Sequence, residues 1–154
     1  MRIKNLAGFT TMELITVISI LAILTGIAIV TVGNPRQFQA IAEAEALKAN
    51  LRFTQSKAMA DLPGNVWSLN VDSGSYTLLR NGAAPVPAVN IPGTYSGTYT
   101  LPSGVSVTGG TGSFRFNFRG QPVNALGVPL AADQSLSVYG APQIFITRQT
   151  GFIP

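Results

Sequence analysis

Residues 9–32 read FTTMELITVISILAILTGIAIVTV, and residues 1–8, MRIKNLAG, precede them. No charged side chain occurs from 14 to 32, close to the about 20 apolar residues that carry a helix across a bilayer core. Thr16, Ser19, Thr25 and Thr31 fit such a helix, because their hydroxyls can bond back to carbonyls one turn earlier. Arg2 and Lys4 ahead of the run predict a cytoplasmic N-terminus, with the rest of the chain outside. Three readings compete. A secretory signal has an apolar core of about 7–15 residues and a small-residue cleavage site, shorter than this run. A plain membrane anchor accounts for the length but gives Glu13 no role. In the third, processing of the chain supplies Glu13 with a positive partner.

Glu13 separates these readings. A carboxylate at mid-bilayer costs about 2.5–3.5 kcal/mol, and less toward the interface. No Lys or Arg follows within two turns. Glu13 can sit hydrated among headgroups, or it can wait for a cation that only cleavage creates.

The string Gly8-Phe9-Thr10-Thr11-Met12-Glu13-Leu14-Ile15 resembles the prepilin signature of type IV pilins and type II secretion pseudopilins. That signature is a short basic leader ending in Gly, then Phe, then Glu as the fifth residue after the cut, then an apolar run. Met12 stands where the family usually has Leu, and Thr10-Thr11 doubles a hydroxyl position. The resemblance implies that a prepilin peptidase cuts between Gly8 and Phe9 and methylates the new Phe9 amine. Gly8 has no side chain to obstruct a protease site. It also implies that Glu13 of one subunit meets the Phe9 amine of a neighbour. Charge pairing alone equally allows Glu13 to fold back on its own Phe9 amine, one turn away.

Asn34-Pro35 reads either as a capped helix start or as a kink in one long helix; the likeness to pilins favours the kink. From 36 to about 60, Ile41, Ala44, Leu47, Leu51 and Ala58 recur at helical spacing as a core stripe. Glu43, Lys48, Arg52 and Lys57 lie mostly off it, as a solvated face or as subunit contacts. Glu45 and Lys48 are three apart and predict a surface pair. Asp61-Leu62-Pro63-Gly64 stops the helix.

Beyond Gly64 the period becomes two. Strands are predicted at 66–71, 76–80, 95–101, 105–108, 113–118, 136–139 and 144–147, with turns at Asp72-Ser73-Gly74 and Asn81-Gly82 and loops at 83–93 and 119–133. Phe114, Phe116 and Phe118 are expected on one strand face. The last two strands are expected to pair antiparallel. Phe116-Asn117-Phe118-Arg119-Gly120 and a closing Thr150-Gly151 resemble the H-type pseudopilin and related minor pilins. The expected fold class is α+β: a long N-terminal helix, membrane half plus amphipathic half, packed on an antiparallel β-sheet head, pilin-like. The expected segments are a leader at 1–8, an assembly helix at 9–33, an amphipathic half at 34–62 and a β-rich extracytoplasmic head at 63–154.

Composition narrows the chemistry. Charged residues make up 10% of the chain, against about 25% in ordinary soluble domains. There is no Cys and no His, which excludes disulfides, thiolate chemistry and His-based catalytic or metal sites. Asp61 and Asp72 sit at turn positions, where Asp bonds backbone, and no D-x-D-x-D cluster suggests calcium. No enzyme, cofactor or metal is expected. Arg115, Arg119 and Arg148 are the candidates for DNA contact, but the QTGFIP that follows Arg148 has no basic residue to track phosphates.

The expected role is that of a structural subunit, a minor pilin or minor pseudopilin. It would be held in the bacterial inner membrane by a single pass and then built into a type IV pilus or type II secretion pseudopilus. Its implied partners are the prepilin peptidase, other pilins or pseudopilins, the inner-membrane assembly platform and the lipid bilayer. The alternatives are a pilus-associated DNA-uptake receptor, which would add nucleic acid as a partner, and an anchored extracytoplasmic binding module that does not polymerise.

Overall fold

Among the described residues the fold has two helices and eight short strands. The computed structural model describes residues 9–31, 35–85 and 88–154. The chain divides into two units, Met1–Pro35 and Arg36–Pro154.

The first unit contains α1 (Thr11–Thr31). Thr10 precedes it as N-cap: its Oγ1 accepts the Glu13 N–H at 3.2 Å, and its carbonyl accepts the Leu14 N–H at 3.1 Å. The hydroxyls of Thr16, Ser19 and Thr25 donate to the carbonyls of Met12, Ile15 and Leu21 at 2.7–2.8 Å, as the sequence predicts. The Thr31 side chain lies outside the described residues.

α2 (Pro35–Met59) begins as a helix of its own. Pro35 stands at its first position, where the missing N–H removes no intrahelical bond. This corrects the expectation of one long helix kinked at Pro35 and packed on the sheet. Among the described residues two separate helices form, and α2 contributes to the core of the sheet-bearing unit. Among the described residues no helix is long and apolar enough to cross a membrane.

The buried face of α2 is Ala40, Ala44, Leu47, Leu51, Thr54 and Ala58, with Asn50 beside it. Alternate steps of four and three keep those residues on one side. Ile41, expected in the stripe, is exposed. Ala40 takes the buried position instead, with Gly140 packed beside it, where an added Cβ would be in ordinary contact with the Ala40 Cβ at 3.6 Å. The Glu45–Lys48 pair forms at 2.8 Å.

The strands are β1 (Trp67–Val71), β2 (Ser75–Arg80), β3 (Thr98–Thr100), β4 (Val107–Gly109), β5 (Gly112–Phe116), β6 (Pro122–Val123), β7 (Gln134–Val138) and β8 (Ile144–Ile146). They form a five-stranded sheet in the order β3-β2-β1-β5-β6 and a three-stranded sheet in the order β4-β7-β8. Every pairing is antiparallel. In the larger sheet Leu69 lies opposite both Leu78 and Phe114, and these face the core. Ser68 lies opposite Leu79 and Arg115 on the other face. One apolar cluster joins α2 (Leu47, Leu51) to both sheets (Leu69, Phe116, Leu136, Ile146) and to Ile153 near the C-terminus.

Several strand boundaries differ from expectation, each for a local reason. β3 is shorter than 95–101 because the Thr94 hydroxyl turns the chain, donating to the Ser96 carbonyl at 2.7 Å and accepting the Ser96 N–H at 3.2 Å. β4 begins two residues later than predicted. β5 stops at Phe116 because the Asn117 Oδ1 accepts the N–H groups of Arg119 and Gln121 at 2.9 and 3.0 Å. Phe118 therefore leaves the strand and lies exposed, so the expected three-phenylalanine face holds two. β6 occupies part of the expected loop 119–133. Of the predicted loop 83–93, residues 86 and 87 lie outside the described residues. The β7–β8 pair forms as predicted, with Leu136 opposite Ile144.

Candidate functional site

The N-terminal end of α1 carries the processing and assembly candidates. Gly8, and with it the predicted cut and the leader at 1–8, lies outside the described residues. Phe9 is 84% exposed. Every residue from 9 to 26 is exposed, and the large apolar side chains from Met12 to Leu24 are never less than 49% exposed. Glu13 is the one charged residue of α1. It occupies the third helical position after the Thr10 cap, the spacing of a capping box without the return bond from its side chain to the Thr10 N–H, and its negative charge there favours the helix start. This second role was legible in the Thr-x-x-Glu spacing and absent from the reading by charge pairing. Among the described residues the Glu13 carboxylate has no hydrogen-bond or ion-pair partner.

The three candidate arginines are not brought together. The Arg148 guanidinium donates to the Ala131 carbonyl, and its backbone N–H to Asp133 Oδ1 at 2.8 Å, which ties down the preceding loop. Arg119 is exposed and lies over the Phe118 ring at 5.2 Å. Arg115 is half-buried on β5 and lines a different concavity from Arg148. No continuous basic track joins them.

Asp61 has more partners than its turn position suggested. Its Oδ1 accepts the Leu62 N–H at 2.7 Å and Asn65 Nδ2 at 3.0 Å. Its Oδ2 accepts Trp67 Nε1 at 2.7 Å. Arg80 grips both oxygens, Nε at 2.7 Å and Nη2 at 2.9 Å, the bidentate geometry that makes Arg–carboxylate pairs strong. No spacing rule links positions 61, 67 and 80; the β1–β2 hairpin brings them together. The Arg80 guanidinium, and after it the Trp67 indole, hold the Asp61 carboxyl well below the usual carboxylate range. The folded value lies below the unfolded one of about 3.9, so the contribution is full above about pH 4 and is lost as pH falls through the lower, folded value. Asp61→Asn is accordingly expected to lower the urea midpoint at pH 7 and to flatten its decline below pH 4. An unchanged acid limb in that variant would show that the clamp does not control acid stability.

Two α2 side chains expected on a solvated face instead hold the sheet-bearing unit together. The Tyr99 hydroxyl donates to Glu43 at 3.0–3.1 Å. Arg52 donates from Nε and Nη2 to the Ile153 carbonyl at 3.2 and 2.8 Å. Gln55 Nε2 joins them, bridging the carbonyls of Gly120 (2.9 Å) and Thr150 (3.0 Å). Among the described residues no group of three or more carboxylates is placed to hold a metal ion.

Compared with protein-family models, curated proteins and solved structures, the chain has no match in sequence or fold.

Proposed function

We propose that this chain is a structural subunit of a pilin-like filament, cut between Gly8 and Phe9 and assembled through α1. One observation carries the reading: α1 exposes large apolar side chains all round, and its only charge is a partnerless carboxylate in the first turn. A helix apolar on every side needs lipid or other apolar helices around it. A carboxylate at its tip needs a cation in such surroundings. The Phe9 amine released by the cut, one turn before Glu13 in sequence, supplies that cation. The leader's resemblance to prepilin leaders names the enzyme that would release it.

Before assembly the subunit is held at the inner membrane, N-terminus inward. The uncharged run, which continues in sequence to Val32, lies in the bilayer, and the sheet-bearing unit lies outside. The subunit then joins other pilins or pseudopilins at an assembly platform. The separated arginines give the nucleic-acid reading no support.

The test is the N-terminal mass and sequence of the protein isolated from its native host. A chain beginning at N-methyl-Phe9 is expected. A chain beginning at Met1, or cut beyond Val32, overturns the filament reading.

A further inference from the structure

On the outer face of the five-stranded sheet lies a concavity of about 410 Å³, within the size range of small-ligand sites. Arg115 and Ser68, opposite each other on β5 and β1, line it together with Val66, Gly82, Leu126 and Gly127. Ser68 is 3% exposed and Arg115 is half-buried. Two turns wall the site, and each is held by an asparagine. Asn81 Oδ1 accepts the Val66 N–H at 2.8 Å, and its Nδ2 donates to Asn65 at 2.9 Å. Asn124 Oδ1 accepts the N–H groups of Leu126 and Val128 at 2.9 and 3.1 Å. The walls are therefore formed before any ligand arrives, which lowers the ordering cost of binding.

Arg115 is the anomaly in this site. Among the described residues its guanidinium has no hydrogen-bond or ion-pair partner, and no acidic residue lines the concavity. Asp61, by contrast, has Arg80, and Arg148 has the Ala131 carbonyl. A cation partly withdrawn from water is stabilised by an anion that restores its hydrogen bonds.

We propose that this concavity binds a compact monocarboxylate, with Arg115 holding the carboxylate by its planar fork, Ser68 beside it, and Val66 and Leu126 contacting a short aliphatic remainder. The site favours carboxylate over phosphate on two counts. A single guanidinium neutralises one charge, which balances a monocarboxylate and leaves a phosphate dianion half-compensated. The N–H groups of Val66, Leu126 and Val128, which could have cradled a phosphate, are already engaged by asparagine oxygens. The carboxylate can belong to a free short acid or to a Glu side chain of another protein. The proposal stands independently of the filament reading.

The test is an NMR titration of the full-length chain in detergent, following the Arg115 Nε–Hε signal and the Gly82 and Gly127 amides. The probes are butyrate, butyramide, inorganic phosphate and a blocked Gly-Glu-Gly peptide. Saturable shifts with butyrate, absent with butyramide, are expected. Arg115→Gln should weaken binding by about tenfold or more. Arg115→Lys, which keeps the charge and loses the fork, should weaken it less. Thermal unfolding of both variants checks that they are folded. Tighter binding of the peptide than of butyrate identifies a protein carboxylate as the source, and the reverse identifies a small acid. No shift with either, shifts unchanged in folded Arg115→Gln, or phosphate bound in preference to both overturns the proposal.

Discussion

A Glu13→Ala chain is expected to be cut at the same bond as the unaltered one and then to fail to enter filaments, its incorporation beside unaltered subunits falling about a hundredfold or more. The magnitude follows from what removal leaves behind. In a dry helical bundle, deleting one member of a charge pair leaves the other unpaired, at a cost of about 3–5 kcal/mol, and each 1.4 kcal/mol is tenfold in an equilibrium. Glu13 also sits three residues after the cap, so the variant loses helix-start stabilisation as well. That loss is only about 0.3–1 kcal/mol. Glu13→Gln isolates the charge, because Gln keeps the length and polarity of the side chain and loses only the charge. If pairing governs assembly, Gln behaves like Ala. A Gln variant that enters filaments at the normal level would remove the pairing argument. The readout is the ratio of altered to unaltered subunit in sheared filaments, compared with the ratio in whole cells.

How far the sequence foretold this structure depends on how local each cause is. The β1–β2 hairpin was legible because Asp72-Ser73-Gly74 and the alternation of Leu69, Val71, Tyr76 and Leu78 all lie within a dozen residues. So was the Glu45–Lys48 pair, which one turn of helix decides. The boundary at Phe116 was not, although Asn117 was visible, because the pattern Phe-x-Phe-x-Phe outweighs one polar residue until its side chain is seen to take two backbone N–H groups. Ala40 in the stripe packs beside Gly140, a hundred positions along the chain, and no window of sequence contains both. Helix continuity at Pro35 rested on family likeness, while the plain rule for proline at a first helical position pointed to the start that α2 shows. Of the site, the Thr-x-x-Glu spacing was readable in both of its senses. The roles of Asp61, Arg52 and Gln55 were not, since each depends on partners that only the folded sheets bring near.

Gly151→Ala is expected to remove a large share of the stability of the sheet-bearing unit. Gly151 has φ of 67°, a backbone region that costs an alanine about 1–2 kcal/mol. Its added Cβ would also overlap the Gly120 carbonyl oxygen and stand 2.6 Å from Gln55 Nε2. Neither neighbour can move without loss. The Gly120 carbonyl is the acceptor of that same Gln55 amide, which also holds the Thr150 carbonyl. Displacing them loosens the strap that keeps Ile153 buried and its carbonyl on Arg52. Crowding costs about 1–3 kcal/mol, and each hydrogen bond lost about 0.5–1.5 kcal/mol. With both Gln55 bonds lost, these sum to about 3–8 kcal/mol, a large share of the 5–15 kcal/mol typical of a domain, or a fall of about 10–30 °C in Tm. Gly82→Ala provides the control. Gly82 has φ of 81°, and an added Cβ meets nothing within 4 Å, so only the backbone cost of about 1–2 kcal/mol applies. Thermal unfolding of both variants decides the matter. A Gly151→Ala loss no larger than that of Gly82→Ala would mean that the segment after Thr150 yields freely, and that Gln55 and Arg52 do not fasten it to α2.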